Sequence, residues 1–138
     1  MSALPSNAEA PRSHSSAAHG DPWSRLRRTS LTASWLASRL GTDPMRVDVM
    51  RRSGELLGVR LPGSYEYRYP AWQLGPNGKP LESVIAIVVE ARRSGIDDLA
   101  LAELMERRLG LGGNRRLADV LREGDEAHVI AAIRSVGE

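Results

Sequence analysis

Two short helices three residues apart, followed at once by alternating residues around a Pro-Gly turn, constrain this chain more than any other feature. Thr32 is a good N-cap, and Ala33 to Leu40 sets Trp35, Leu36 and Leu40 on one side of a helix. Gly41 ends that helix. Asp43-Pro44 then starts a second one, a cap followed by proline at the first helical position, which runs to about Ser53 before Gly54 stops it. The next stretch, Arg60-Leu-Pro-Gly-Ser-Tyr-Glu-Tyr-Arg-Tyr-Pro-Ala-Trp-Gln73, reads as a hairpin. Val59 and Leu61 alternate on a strand over Glu55 to Leu61, and Tyr65, Tyr67 and Tyr69 alternate on a strand over Tyr65 to Tyr69, with Gly63 allowing the turn. Helix, turn, helix, hairpin is the order of a winged helix–turn–helix, which sets its second helix in the major groove of DNA.

Charge points the same way. Residues 23–80 carry ten Lys/Arg and four Asp/Glu, whereas residues 81–138 carry eight and eleven. A basic front half joined to an acidic rear half implies two partners of different character; uneven scatter of solvated charge is the plainer reading. On the second helix Met45, Val47, Val49 and Met50 spread around the wheel, while Asp48, Arg51 and Arg52 fall within about a third of it at roughly 100° per residue. Arg51 and Arg52 are therefore expected to face DNA, with Arg46 near the helix start; a solvated basic face is the bland alternative. Arg60 and Arg68 are the expected phosphate contacts at the wing. Three tyrosines on one strand face more often pack against helices than stack on bases. Arg25, Arg27 and Arg28 follow Trp23 as an arm along phosphates or as a solvated linker.

Composition fixes the setting. An apolar share of 41% with 4% aromatic and no Phe implies a core of Leu, Val, Ile and Ala. Without cysteine there is no disulfide and no thiolate metal site, which suits the cytoplasm. No apolar run approaches the roughly 20 residues of a membrane span. Met1 to about Pro22, rich in Ser, Ala, Pro and His, is expected to be a disordered tail, its His14 and His19 solvated.

Beyond the turn-rich Gly75–Gly78 the pattern turns helical. Leu81, Val84, Ile85, Val88 and Ala91 form a stripe at spacings of 3 and 4, closed by Gly95, although the β-branched run Val84–Val89 alone reads as strand. Asp97 caps a helix with Leu101, Leu104 and Met105; Asn114 caps one with Leu117, Val120 and Leu121; Asp125 caps a last one with Val129, Ile130 and Ile133. The expected organisation is a tail over 1–22, a winged helix–turn–helix over 23–78 and a small all-α domain over 79–138. The fold class is mainly α with a small β-hairpin.

Catalytic signals are missing. There is no Walker-type glycine loop, Gly-x-Ser-x-Gly elbow or His-Glu-x-x-His helix. Leu111-Gly-Gly-Asn114 lacks a lysine, and His128 has no second ligand type beside it. Asp97/Asp98 and Asp125/Glu126 sit at helix starts, where the macrodipole favours them. Neither an enzyme nor a cofactor or metal is expected.

Gly54-Glu55-Leu56, Tyr69-Pro-Ala-Trp-Gln73 and Gly78 precede a closing pattern of Leu111, Gly112, Gly113, Leu117, Leu121, Gly124, Asp125 and Val129. This order, over about residues 30–136, resembles bacterial antitoxins of the Xre/MbcA/ParS type, in the branch with a MerR- or excisionase-like DNA-binding half. The resemblance implies a C-terminal domain that neutralises a toxin, often of the NAD-consuming RES class, with the closing-pattern positions belonging to that toxin-binding domain. It also implies an N-terminal domain that represses the shared promoter on operator DNA, usually as a homodimer. Arg116 departs from the family, standing where a proline commonly precedes the leucine. The alternatives are a stand-alone transcription regulator or excisionase-like factor whose rear helices only dimerise, and an interaction module that no longer binds DNA.

Overall fold

In the computed structural model, residues 21–110 and 113–137 are described; the expected tail, apart from Asp21 and Pro22, lies outside them. The first three helices start on side-chain caps. Asp21 Oδ1 accepts from the Trp23 amide at 3.1 Å, and Pro22 opens α1 (Pro22–Thr29). The stretch expected as an arm or linker is thus a helix, started by the same Asp-Pro pair that starts the second helix of the turn motif. A short strand, β1 (Ser30–Thr32), leads into α2 (Ala33–Leu40), where Thr32 Oγ1 accepts from the Trp35 amide at 3.1 Å. At φ 70° Gly41 turns the chain, so that its amide reaches the Ser38 carbonyl and that of Thr42 the Ala37 carbonyl. Asp43 Oδ1 then accepts from the Arg46 amide at 2.9 Å and begins α3 (Pro44–Arg52).

The hairpin strands are shorter than their alternation suggests, β2 covering Val59–Arg60 and β3 Tyr67–Pro70. Residues 55–57 are diverted: the Glu55 and Leu56 amides bond back to the Met50 carbonyl, and the Leu57 amide bonds to Gln73. The two strands are also not alone. A three-stranded antiparallel sheet has the order β1-β3-β2, with Leu31 opposite Tyr69 and Val59 opposite Arg68.

Among the described residues, buried hydrophobic side chains form two clusters. The smaller joins Leu36 and Ala37 of α2, Val47 of α3, Leu56 and Tyr69. The larger contains Leu26 of α1, Leu57, Val59 and Leu61 of the hairpin, Trp72, and the rear helices. It therefore runs across residue 78, where the sequence suggested a domain boundary. Tyr69-Pro-Ala-Trp-Gln73 is the joint between them: Tyr69 enters the smaller cluster and Trp72 the larger. Fully buried Gln73 ties the joint down. Its Oε1 accepts from the Leu57 amide at 2.7 Å, and its Nε2 donates to the Leu57 and Pro70 carbonyls at 2.9 and 3.0 Å.

The rear half comprises α4 (Val84–Arg93), α5 (Asp98–Met105), α6 (Leu117–Arg122) and α7 (Glu126–Gly137). The β-branched run is helical, with Val84, Ile87, Val88 and Ala91 buried and α4 packed on α7. Ile85, expected in the stripe, lies on the other side at 46% exposure. Asp97 caps α5 as expected. Asn114 does not cap α6; Arg116 is the flanking residue, its amide donating to Asp119 Oδ2 at 2.8 Å. The two residues between are drawn into an antiparallel bridge of Arg108 with Arg116, closed by the Leu109 amide on the Arg115 carbonyl. The chain is mainly helical, with seven α-helices and one small sheet among the described residues.

Candidate nucleic-acid interface

Packing fixes which face of α3 is outward. Val47 is its buried residue, and Met50 lies partly buried against the smaller cluster. At about 100° per residue, the side opposite Val47 carries Met45, Val49 and Arg52 within about 60° of arc, flanked by Arg46. All four are exposed, Met45 at 76% and Val49 at 38%.

Arg51 does not join them. Its guanidinium lies over the Tyr67 ring and pairs with Asp48, which leaves the side chain 18% exposed. Gly58 makes room for this: a Cβ there would sit 2.6 Å from Arg51 Cδ and 2.9 Å from Tyr69 Cε1. Asp48 also meets Arg52 Nε at 3.0 Å, but Arg52 remains 62% exposed. The hydrogen bond from Arg51, working against desolvation, holds the Asp48 carboxyl below its ordinary range. Of the arginines expected to face DNA, Arg46 and Arg52 are on the outer face and Arg51 is turned inward.

The hairpin divides similarly. Arg60 is exposed at the tip, over the Tyr65 ring, its Nε donating to the Ser64 carbonyl at 2.7 Å. Gly63, at φ 68°, forms the turn beside them. Arg68 is instead a staple between α1 and the sheet, its Nε on Ser30 Oγ and its Nη2 on the Arg27 and Ser30 carbonyls at 3.1 and 2.9 Å. The tyrosines follow a gradient: Tyr69 is buried, Tyr67 half-buried and Tyr65 90% exposed. Burial raises the Tyr69 phenol above its usual range. Only two of the three pack inward. A cleft of about 470 Å³ separates the tip from the helices, with Ser34 and Pro44 on one wall and Tyr65 and Tyr67 on the other.

Carboxylate pairing separates the halves. Among the described residues, Arg27, Arg28, Arg39, Arg46, Arg60, Arg68 and Lys79 make no ion pair, while Arg25 is tied to Glu103 and Arg51 and Arg52 share Asp48. In the rear half Arg93, Arg107 and Arg108 make none either, but the other five arginines are neutralised locally: Arg92 by Asp98, Arg115 by Glu123, Arg116 by Glu106 and Asp119, Arg122 by Asp119 and Arg134 by Glu90. Sequence reading missed Arg39, which lies over the exposed Trp35 ring at 4.8 Å, and the outward Met45 and Val49. A helical wheel centred on Val47 would have found the latter pair.

The closing-pattern positions do not form one surface. Leu117, Leu121 and Val129 are core, at most 3% exposed, and Gly113 is half-buried. Gly124 and Asp125 are exposed, but Asp125 Oδ1 serves to accept from the His128 amide. Leu111 and Gly112 lie outside the described residues. Arg116 stabilises the α5–α6 connection through Glu106, at 2.6 Å, and Asp119. The large apolar side chains exposed among the described residues of the rear half are instead Ile85 and Val89 on α4 and Val136 on α7. Among the described residues no helix is long and apolar enough to cross a membrane.

No family model matches the chain, and no curated protein matches it. Among solved structures, the fold is similar to that described as the NMR structure of Rv2175c. That likeness has a TM-score of 0.64 at 18% sequence identity and covers 79% of this chain and 81% of that one.

Proposed function

We propose that this protein binds double-stranded DNA, laying the outer face of α3 in the major groove and the hairpin tip on flanking phosphates. The observation that carries this reading is the concentration of cations without carboxylate partners in the front half, Arg46 on α3 and Arg60 at the tip among them. A surface of that kind attracts a polyanion by releasing its counterions. The test is a titration of labelled duplex DNA at two salt concentrations. Each phosphate neutralised adds about 0.9 to the log–log slope, so Arg60→Ala, at the tip, should lower the slope by about one contact. Binding that ignores salt, or no binding at all, rejects the reading.

The finer reading is an antitoxin acting as a homodimer, which represses its own operon and neutralises a toxin through its rear helices. It rests on the resemblance of Tyr69–Gln73 and the closing pattern, and on Ile85 and Val89, an i, i+4 apolar pair on α4 that stays exposed among the described residues. An adjacent reading frame should then be lethal alone and harmless beside this chain, and Val89→Glu should abolish rescue while sparing DNA binding. Absence of any rescue, with DNA binding intact, leaves a stand-alone regulator.

A further inference from the structure

We infer that α3 reads thymine methyl groups through Met45 and Val49, with guanine read by Arg46 and Arg52; this deepens the DNA-binding reading and rests on it. The starting observation is that the crest of α3 is apolar. Met45, at 76%, is the second most exposed large hydrophobic side chain among the described residues, and Val49 lies one turn further along the same stripe. Their position is not a by-product of packing, since Val47 and Met50 supply what the smaller cluster takes from this helix.

Charge decides what covers this crest. Arg46 and Arg52 border it, and the helix's single carboxylate, Asp48, is occupied with Arg51 and Arg52. An apolar stripe between cations matches the floor of a major groove, where the thymine 5-methyl is the apolar group on the base edges and phosphates line both walls.

The side chains that are absent from α3 sharpen the inference. Pro44–Arg52 holds no Asn or Gln to grip adenine, and Asp48 is not free to accept from cytosine N4. What remains outward can contact two base-edge groups only: the methyl of thymine, by Met45 and Val49, and the O6/N7 pair of guanine, by Arg46 and Arg52. The bond to Asp48 engages Arg52 through Nε, which steers the guanidinium without occupying both terminal nitrogens.

The experiment starts from duplexes that the full chain enriches out of a random pool. Each thymine of an enriched site is then replaced in turn by deoxyuridine, which removes the 5-methyl and nothing else. Loss of affinity by about four-fold at one or two positions is expected, the worth of one buried methyl group. Met45→Ala and Val49→Ala should each abolish the thymine-over-uracil preference at one of those positions, with an unchanged thermal unfolding midpoint. Equal affinity for thymine and uracil duplexes overturns the inference while leaving DNA binding standing. So does a preference that survives both substitutions. A chain that enriches no sequence removes the DNA-binding reading itself. Sedimentation in which Met45→Ala splits a dimer would mean that a second copy covers the crest, and would overturn the inference as well.

Discussion

The guanidinium carbon of Arg51 lies 3.8 Å from the centroid of the Tyr67 ring, so the helix–turn–helix keeps one of its arginines inside itself. With Asp48 on its other side, Arg51 joins α3 to the hairpin and sets the angle between the two.

Substitution at this contact should therefore be read in stability before it is read in affinity. Gly58→Ala drives a methyl group into Arg51 and Tyr69 and should cost about 1–3 kcal/mol, as overpacking of a tight interior does. Arg51→Ala should lower stability by about 1–2 kcal/mol, losing a partly desolvated cation–π contact. Arg52→Ala should leave stability nearly unchanged and weaken DNA binding. Urea unfolding beside duplex titration checks all three. An Arg51→Ala variant of full stability and lost binding would return Arg51 to the DNA face.

The Gln73 side chain offers a second prediction. Three buried hydrogen bonds end on it, and two of them hold both polar groups of Leu57. Gln73→Leu preserves volume but orphans the Leu57 amide and carbonyl, at about 1–3 kcal/mol for each buried group left unpaired. Chemical unfolding should shift accordingly, with fluorescence from Trp35 and Trp72 no longer changing together. A neutral substitution would mean the joint is held by packing alone.

A third prediction concerns the departure at position 116. Arg116 has φ −105° and donates its amide to Asp119, and proline permits neither. Arg116→Pro should therefore destabilise this chain by about 1–2 kcal/mol, the usual worth of a helix-start hydrogen bond. Arg116→Gln, which loses the ion pairs but keeps the amide, should cost less. A stabilising proline would contradict this account of the loop.

Acid should separate the carboxylates. The hydrogen bond from Arg134, opposed by desolvation, holds Glu90 below its ordinary value of 4.5. A group depressed in the folded state contributes stability that is fully present above its unfolded pKa and lost as pH falls through the folded one. Arg134→Gln should accordingly show its largest deficit in unfolding midpoint above about pH 4.5 and converge on the parent as the pH falls below that value. A deficit that stays constant with pH would assign Arg134 a packing role only.

Much of this could be read from the chain, because caps and turns are local signals. Thr32, Gly41, Asp43-Pro44, Asp97 and Gly63 each act where their chemistry points. The same Asp-Pro signal at residues 21 and 22 opens α1, but only Trp23 and Leu26 are apolar there, too few to show a period. β1 was hidden for another reason: its partner, Tyr69 opposite Leu31, lies 38 residues away, and three residues cannot show alternation. The orientation of α3 escaped because a stacked arginine occupies the inner face where periodicity expects an apolar residue. The leucines and valine of the closing pattern mark the core that keeps the rear helices together, a different matter from marking their outer surface.

Tyr69 and Trp72 stand three positions apart and are anchored in different hydrophobic clusters. A connection that short, pinned again by Gln73, leaves no slack for one half to swing while the other stays still. Any force that tilts the hairpin levers directly on the rear helices, and a load on those helices returns to the hairpin by the same route.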